Sequence, residues 1–214
     1  MTTSNPESQI SNEYEFTVDW FTRFAPIWQA LIDRHKPRRF LEIGSYEGRS
    51  ACFIIDSVAS QKNIELYCVD TWAGGVGHGD TVMSDVEKRF DRNVEIAKAR
   101  AGNAVDLHKR KTHSADGLVQ LLSEGNKEAF DFIYIDGSHQ APDVLTDCVL
   151  AFHLLRVGGL MILDDYLWSP DVQGGQDFYN LPKPAVDAFM NIFQRKMTVL
   201  QAPLYQLYAR KTGT

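Results

Sequence analysis

Residues Arg39 to Gly48 read Arg-Phe-Leu-Glu-Ile-Gly-Ser-Tyr-Glu-Gly: a short apolar run that stops at a glycine and passes, after a second glycine, into the helical pattern of Ser50 to Val58. Gly44 and Gly48 bracket a tight loop entering a helix, where backbone can come close to a ligand. That is one βα unit, and the chain repeats its grammar. Asn63 to Asp70 gives a second buried strand that ends on an acid, followed by the glycine-rich loop Ala73 to Asp80 and a charged helix over 82–100. Val105 to Thr112 gives a weaker strand, with a helix from Ser114 that carries Leu118, Val119, Leu121 and Leu122. Phe132 to Asp136 is a strand, Val144 to Leu155 a helix, and Leu160 to Asp164 a strand introduced by the Gly158-Gly159 turn. Ala185 to Gln194 continues as helix after Pro182 and Pro184, and Met197 to Leu200 with Tyr205 to Ala209 closes as an antiparallel hairpin around Ala202-Pro203. Strands alternating with helices predict an α/β fold: a doubly wound, mostly parallel seven-stranded sheet with an antiparallel C-terminal strand and helices on both faces.

Outward from this core, Phe16, Trp20, Phe24, Ile27, Trp28, Leu31 and Ile32 recur at helical spacing. They predict an amphipathic helical segment over residues 16 to 34, broken at Pro26. Its aromatics either cover the active site or form a homodimer surface, and either would bury Trp20 and Trp28. Residues 1–12 read as a disordered tail, and residues 13–214 as a single domain in which 13–36 form a helical cap on a core at 38–168. With 214 residues, 44% hydrophobic and 23% charged, the chain is ordinary for a globular domain. Lys plus Arg number 22 against 28 Asp plus Glu, and the net charge of -6 argues against a nucleic-acid partner. Cys52, Cys68 and Cys148 lie in apolar stretches without CxxC spacing, as reduced core thiols do. The N-terminus lacks the basic start and apolar run of a signal peptide, and no apolar run is long enough for a membrane span. The expectation is a cytoplasmic protein with no membrane partner.

In a doubly wound sheet, ligands bind beyond the carboxyl ends of the strands. The polar residues where the apolar runs stop are Glu42 and Gly44, Asp70, Ser114 and Asp116, Asp136, then Asp164 and Asp165. A single acid there is commonly the cap of the next helix, as Asp116 could be, but the recurrence points to a site. Ser45 and Tyr46 stand where a GxGxxG fingerprint needs its middle glycine, so NAD is disfavoured. Asp70, at the end of the second strand, suits the ribose hydroxyls of an adenosine-containing ligand.

Through the E-x-G-x-x-x-G turn at Glu42 to Gly48 and the acid at Asp70, the chain resembles the class I S-adenosylmethionine-dependent methyltransferases, which have a Rossmann-like fold. The stretches Phe132-Ile-Tyr-Ile-Asp-Gly-Ser-His139 and Gly158-Gly-Leu-Met-Ile-Leu-Asp-Asp165 resemble the metal-site strands of cation-dependent O-methyltransferases, and most closely those of macrolide sugars. Catechol O-methyltransferase is a more distant likeness, and it carries lysine where this chain has His139. The resemblance covers about residues 38 to 168. It implies that Glu42, Gly44, Ser45, Gly48, Asp70, Thr71, Trp72, Ser114, Ala115 and Asp136 serve the S-adenosylmethionine site. It also implies that Asp136, Asp164 and Asp165 hold a divalent cation, Mg2+ by its preference for oxygen.

Asp136 and His139 are then the catalytic candidates, with His139 as general base because unperturbed histidine titrates at ~6.5. Adjacent strand residues face opposite ways, so Asp164 and Asp165 can share one ion only if the chain bends there. Trp72 either stacks on adenine or packs in the core. The Ala73 to Asp80 loop with His78 is either a mobile cover or a surface connection, and Tyr166 and Trp168 either line the mouth or pack beneath the C-terminal segment. The function expected is O-methylation of a small-molecule or sugar hydroxyl. A metal-dependent hydrolase and a silent nucleoside-binding partner protein are the alternatives.

Overall fold

The computed structural model describes residues 13–75, 83–170 and 177–214. The expected tail at 1–12, and His78 with the glycine-rich loop from residue 76 onward, lie outside these described residues. Seven strands form one sheet: β1 (Arg39–Ile43), β2 (Ile64–Asp70), β3 (Val105–Lys111), β4 (Phe130–Ile135), β5 (Leu155–Leu163), β6 (Met197–Val199) and β7 (Leu207–Lys211). Their order is β3-β2-β1-β4-β5-β7-β6. The first five run parallel, and β7 lies antiparallel between β5 and β6. The expected doubly wound sheet with its antiparallel C-terminal strand is therefore the fold observed.

Among the described residues six α-helices cover it: α1 (Ala25–His35), α2 (Arg49–Val58), α3 (Met83–Arg100), α4 (Ser114–Ser123), α5 (Ala141–Leu154) and α6 (Pro182–Ile192). Side chains alternate across each strand, so the sheet feeds two cores. Phe40, Leu66, Phe132, Tyr134 and Tyr208 pack with α1, α2 and α3. Leu41, Ile43, Val69, Ile133 and Ile135 pack with α4, α5 and α6. Cys52, Cys68 and Cys148 are buried free thiols, as expected. Among the described residues no helix is long and apolar enough to cross a membrane.

Three sequence expectations need correction. Pro26 does not break a helix over 16–34; it sits in the first turn of α1, where its missing N–H costs nothing. Residues 13–21 instead run as an irregular strap over α2 and α3. Thr17 hydrogen-bonds Glu47 through N and Oγ1, and Glu15 N donates to Asn93. Trp28 is wholly buried within the chain, so it is core rather than a dimer face, whereas Trp20 remains 56% exposed. Finally, Gly158 and Gly159 do not precede β5 but lie inside it. The pairing with β4 is irregular between Phe130 and Phe132, and a Cβ on Gly159 would approach Leu155 to 2.6 Å.

Candidate active site

The strand order reverses between β1 and β4, and that switch point is where a crevice opens at the carboxyl edge of such a sheet. Gly44 stands on one lip and Asp136 on the other. Gly44 has φ +82, and a Cβ there would lie 1.9 Å from the Asp136 carbonyl oxygen. The glycine is thus required by the neighbouring strand's exit before any ligand arrives. Gly48 is similar: with φ +79, its added Cβ would press on Phe90 at 2.9 Å.

The β1 turn is fastened from below and from the side. Glu42 is completely buried, its carboxylate receiving Ser50 Oγ and Cys68 Sγ, and burial pushes its carboxyl up to about 7. It supports the turn from beneath, with no face left for a ligand. Asp70 Oδ2 accepts the N–H groups of Ser45 and Tyr46 at 2.7 and 3.0 Å, and its Oδ1 accepts Trp72 N at 2.6 Å. The carboxylate binds the two loops together, and with about four lone-pair sites it keeps capacity for one further donor. Ser45 is buried as well. Trp72 is buried against Phe90 and donates Nε1–H to the Tyr46 carbonyl, so it occupies the packing role. Thr71, whose Oγ1 accepts Ala73 N, is partly exposed beside it. Ser114 and Ala115 are partly exposed in the first turn of α4, and Asp116 is not its cap.

Beyond β4 and β5 the chemistry changes. Asp136, His139, Asp164 and Asp165 line one depression floored by Ile135 and Leu163. The predicted bend is present: Asp165 adopts φ 54, and its N–H returns to Asp164 Oδ1 at 2.7 Å. This turn sends the two carboxylates to different partners. Asp165 Oδ2 lies 2.7 Å from His139 Nε2, and ligand atoms of Asp136, His139 and Asp165 all fall within 4.8 Å of one another. Asp164 instead faces inward, where Tyr134 Oη and Gln206 Nε2 meet its Oδ2. The trio inferred by resemblance is therefore divided, with His139 beside two acids and the third behind them.

Tyr134 Oη also contacts Asp136 Oδ2 at 2.8 Å. Burial raises the Asp136 carboxyl well above its usual range, reinforced by the nearby charges of Asp164 and Asp165. Burial, then Asp165, lifts Asp164 to about 6. Among the described residues no lysine or arginine pairs with any of the three; the ion-pair partner found is His139. Trp168 is turned back by a bond from its N–H to the Asp165 carbonyl, and covers the His139 ring at 4.1 Å between centroids. Among the described residues His139 Nδ1 is buried without a hydrogen-bond partner. Tyr166 leaves the site for Asp187.

Tyr134 and Gln206 escaped the sequence reading. Tyr134 sits within the apolar run Phe132 to Ile135 and Gln206 stands alone between Tyr205 and Leu207, so neither forms a motif. A second gathering, Glu65, Asp106 and His108, lies at the opposite end of the sheet. There Glu65 is committed to Arg39 and Tyr67, and His108 stacks on Tyr67.

The strand order, the β1 turn and the acid ending β2 define a class I methyltransferase fold. The methyltransferase-domain family matches residues 41–166, and the chain belongs to that family. The likeness to class I S-adenosylmethionine-dependent methyltransferases read from the sequence therefore holds. An uncharacterized protein of Acanthamoeba polyphaga mimivirus is 24% identical over 136 residues, covering 62% of this chain and 55% of that protein. One of Sinorhizobium fredii is 26% identical over 129 residues, 58% of this chain but 13% of its own length. The chain thus spans little more than half of one curated relative and a small part of the other. Among solved structures, an O-methyltransferase from Bacillus cereus in complex with SAH superposes with a TM-score of 0.62 at 20% identity, over 92% of this chain and 84% of that one. The O-methyltransferase TomG from Streptomyces achromogenes, in complex with SAM, gives 0.59 at 20% identity, over 89% and 80%. At that identity these likenesses show the fold.

Proposed function

We propose that this protein transfers a methyl group from S-adenosylmethionine to a hydroxyl of a small molecule or sugar, with a divalent cation held at the acidic cluster. The carrying observation is the contact of Gly44 with the Asp136 carbonyl, which sets the β1 turn and the acidic cluster shoulder to shoulder. A donor seated on the turn and an acceptor seated at the cluster would then share one floor. Solved relatives of this fold bound to SAH and SAM support the reading of the donor.

The residues fit both groups. Asp70 retains an acceptor site for a ribose hydroxyl, and Ser114 and Ala115 are small enough to let a base lie along the start of α4. Asp136 and Asp165 bring two carboxylates together where, among the described residues, no lysine or arginine neutralises them, a donor set that suits Mg2+. When bound, the cofactor supplies an electrophilic sulfonium methyl, and a cation supplies charge that orients and acidifies the hydroxyls of a diol. Asp165 Oδ2 meets His139 Nε2 at 2.7 Å and so orients the imidazole that would take the acceptor's proton. Asp164, behind them, fixes the turn that aims Asp165.

The clustering of His139 with the two acids favours a second reading in which the imidazole is itself a ligand, and a softer cation such as Fe2+ or Zn2+ is preferred. H139Q separates the two: as base it loses turnover with cation affinity intact, and as ligand it loses both. The main test is calorimetric titration with S-adenosylmethionine and S-adenosylhomocysteine, each with Mg2+ and after chelation, followed by transfer assays on vicinal diols and sugars. Micromolar binding and chelator-sensitive transfer are expected. Folded protein that binds neither compound overturns the proposal.

A further inference from the structure

The cation reading leaves one buried feature unused. Gln206 is 1% exposed and stands immediately before β7, outside the stretch matched by the family. Its Oε1 receives Trp28 Nε1–H at 3.0 Å and Tyr208 Oη at 2.6 Å. Its Nε2 donates to Asp164 Oδ2 at 2.8 Å. An amide can ordinarily be turned either way, but indole N–H is a donor only. Trp28 therefore fixes the carbonyl end of Gln206 on itself, and the amino end has to face Asp164.

Asp164 passes this orientation to both sides of the cluster. Its Oδ2 also meets Tyr134 Oη, which touches Asp136, and its Oδ1 holds the N–H of Asp165 in the left-handed turn that carries Asp165 to His139. We infer that Gln206 is a positioning residue of the acidic site: locked by Trp28, it holds Asp164 so that Asp136 and Asp165 converge on one cation. This rests on the cation reading above. Trp28 belongs to α1, so the N-terminal helix is tied to the site by two hydrogen bonds in series, and not merely by covering one face of the sheet.

The test measures Mn2+ binding by loss of the free-ion paramagnetic resonance signal, alongside calorimetric S-adenosylhomocysteine binding, without acceptor or turnover. Q206M keeps the length of the side chain and removes both hydrogen-bonding ends. Partners that orient metal ligands typically govern affinity by 10–100-fold, so Mn2+ binding should weaken about tenfold or more while S-adenosylhomocysteine affinity stays within about twofold. W28F removes the indole N–H and part of a buried ring that packs on Tyr134; the amide is then held by Tyr208 alone, and a smaller loss of Mn2+ affinity with S-adenosylhomocysteine affinity unchanged is expected, which keeps the inference testable if Q206M does not fold. Mn2+ affinity equal to wild type in the folded variants overturns it. So does equal loss of Mn2+ and S-adenosylhomocysteine binding, which marks general disruption. If wild-type protein binds S-adenosylhomocysteine but no Mn2+, the cation reading itself has failed, and this inference with it.

Discussion

The two halves of the site solve opposite electrostatic problems. At the exits of β1 and β2, Asp70 is met by three backbone N–H groups, and the turn it binds is closed on itself. At the exits of β4 and β5, three carboxylates crowd together with a phenol, an amide and an imidazole, and Asp136 and Asp164 are held toward their neutral forms. The first half is preorganised by hydrogen bonds the chain supplies. Among the described residues the second has no lysine or arginine to offset its acids, and that imbalance is what a cation would relieve.

The contrast can be broken at its seam. G44A should have the largest effect, because it forces a side chain into the Asp136 carbonyl at a residue with φ +82. A loss beyond about 3 kcal/mol, or failure to fold, is expected in urea denaturation. D136A should next lower methyl transfer by about a hundredfold or more while S-adenosylhomocysteine binding survives. Unchanged transfer would remove Asp136 from the chemistry.

Glu42 sharpens the comparison through pH. Its carboxyl sits at about 7 in the folded protein against an ordinary 4.5. Below pH 4.5 both states hold the proton; between 4.5 and 7 the unfolded chain releases it while the folded chain keeps it, so stability falls as pH rises and levels off above 7. E42Q should flatten that fall, by about 3 kcal/mol across the window, in denaturation series from pH 4 to 8. An identical pH dependence in E42Q would place the sensitivity elsewhere. The smallest effect belongs to D70A, which removes a charged acceptor worth about 1.5 to 3 kcal/mol. S-adenosylhomocysteine affinity should fall roughly ten- to a hundredfold, with Mn2+ binding unaffected. Loss of both would show that the halves are not separable.

The sheet was legible because parallel strands buried on both faces appear as unbroken apolar runs, as in Phe132 to Ile135 and Leu160 to Leu163. Strand exits were legible for the same reason: Asp70, Asp136 and Asp164 stand where those runs stop. What the spacing did not carry is which way each exit residue points. Asp164 and Asp165 are neighbours in sequence, yet a left-handed turn sends one inward and the other to His139. The glycines of the first turn looked like room for a ligand, and Gly44 proves to be room for Asp136. The Thr17 to Glu47 contact and the Trp28 to Gln206 contact join distant positions of chain, and no local pattern announces them.

The placement of β7 between β5 and β6 has a consequence for synthesis. Gln206 arrives beside Asp164 only when this strand is inserted, and its lock, Trp28, lies 178 positions earlier. Contacts of such separation form late, because a long loop must close before they are rewarded. A chain still emerging from the ribosome can therefore assemble the first five strands and the β1 turn while Asp164 remains unpinned. On the cation reading proposed above, the acidic cluster would reach its final geometry only once β7 is inserted between β5 and β6.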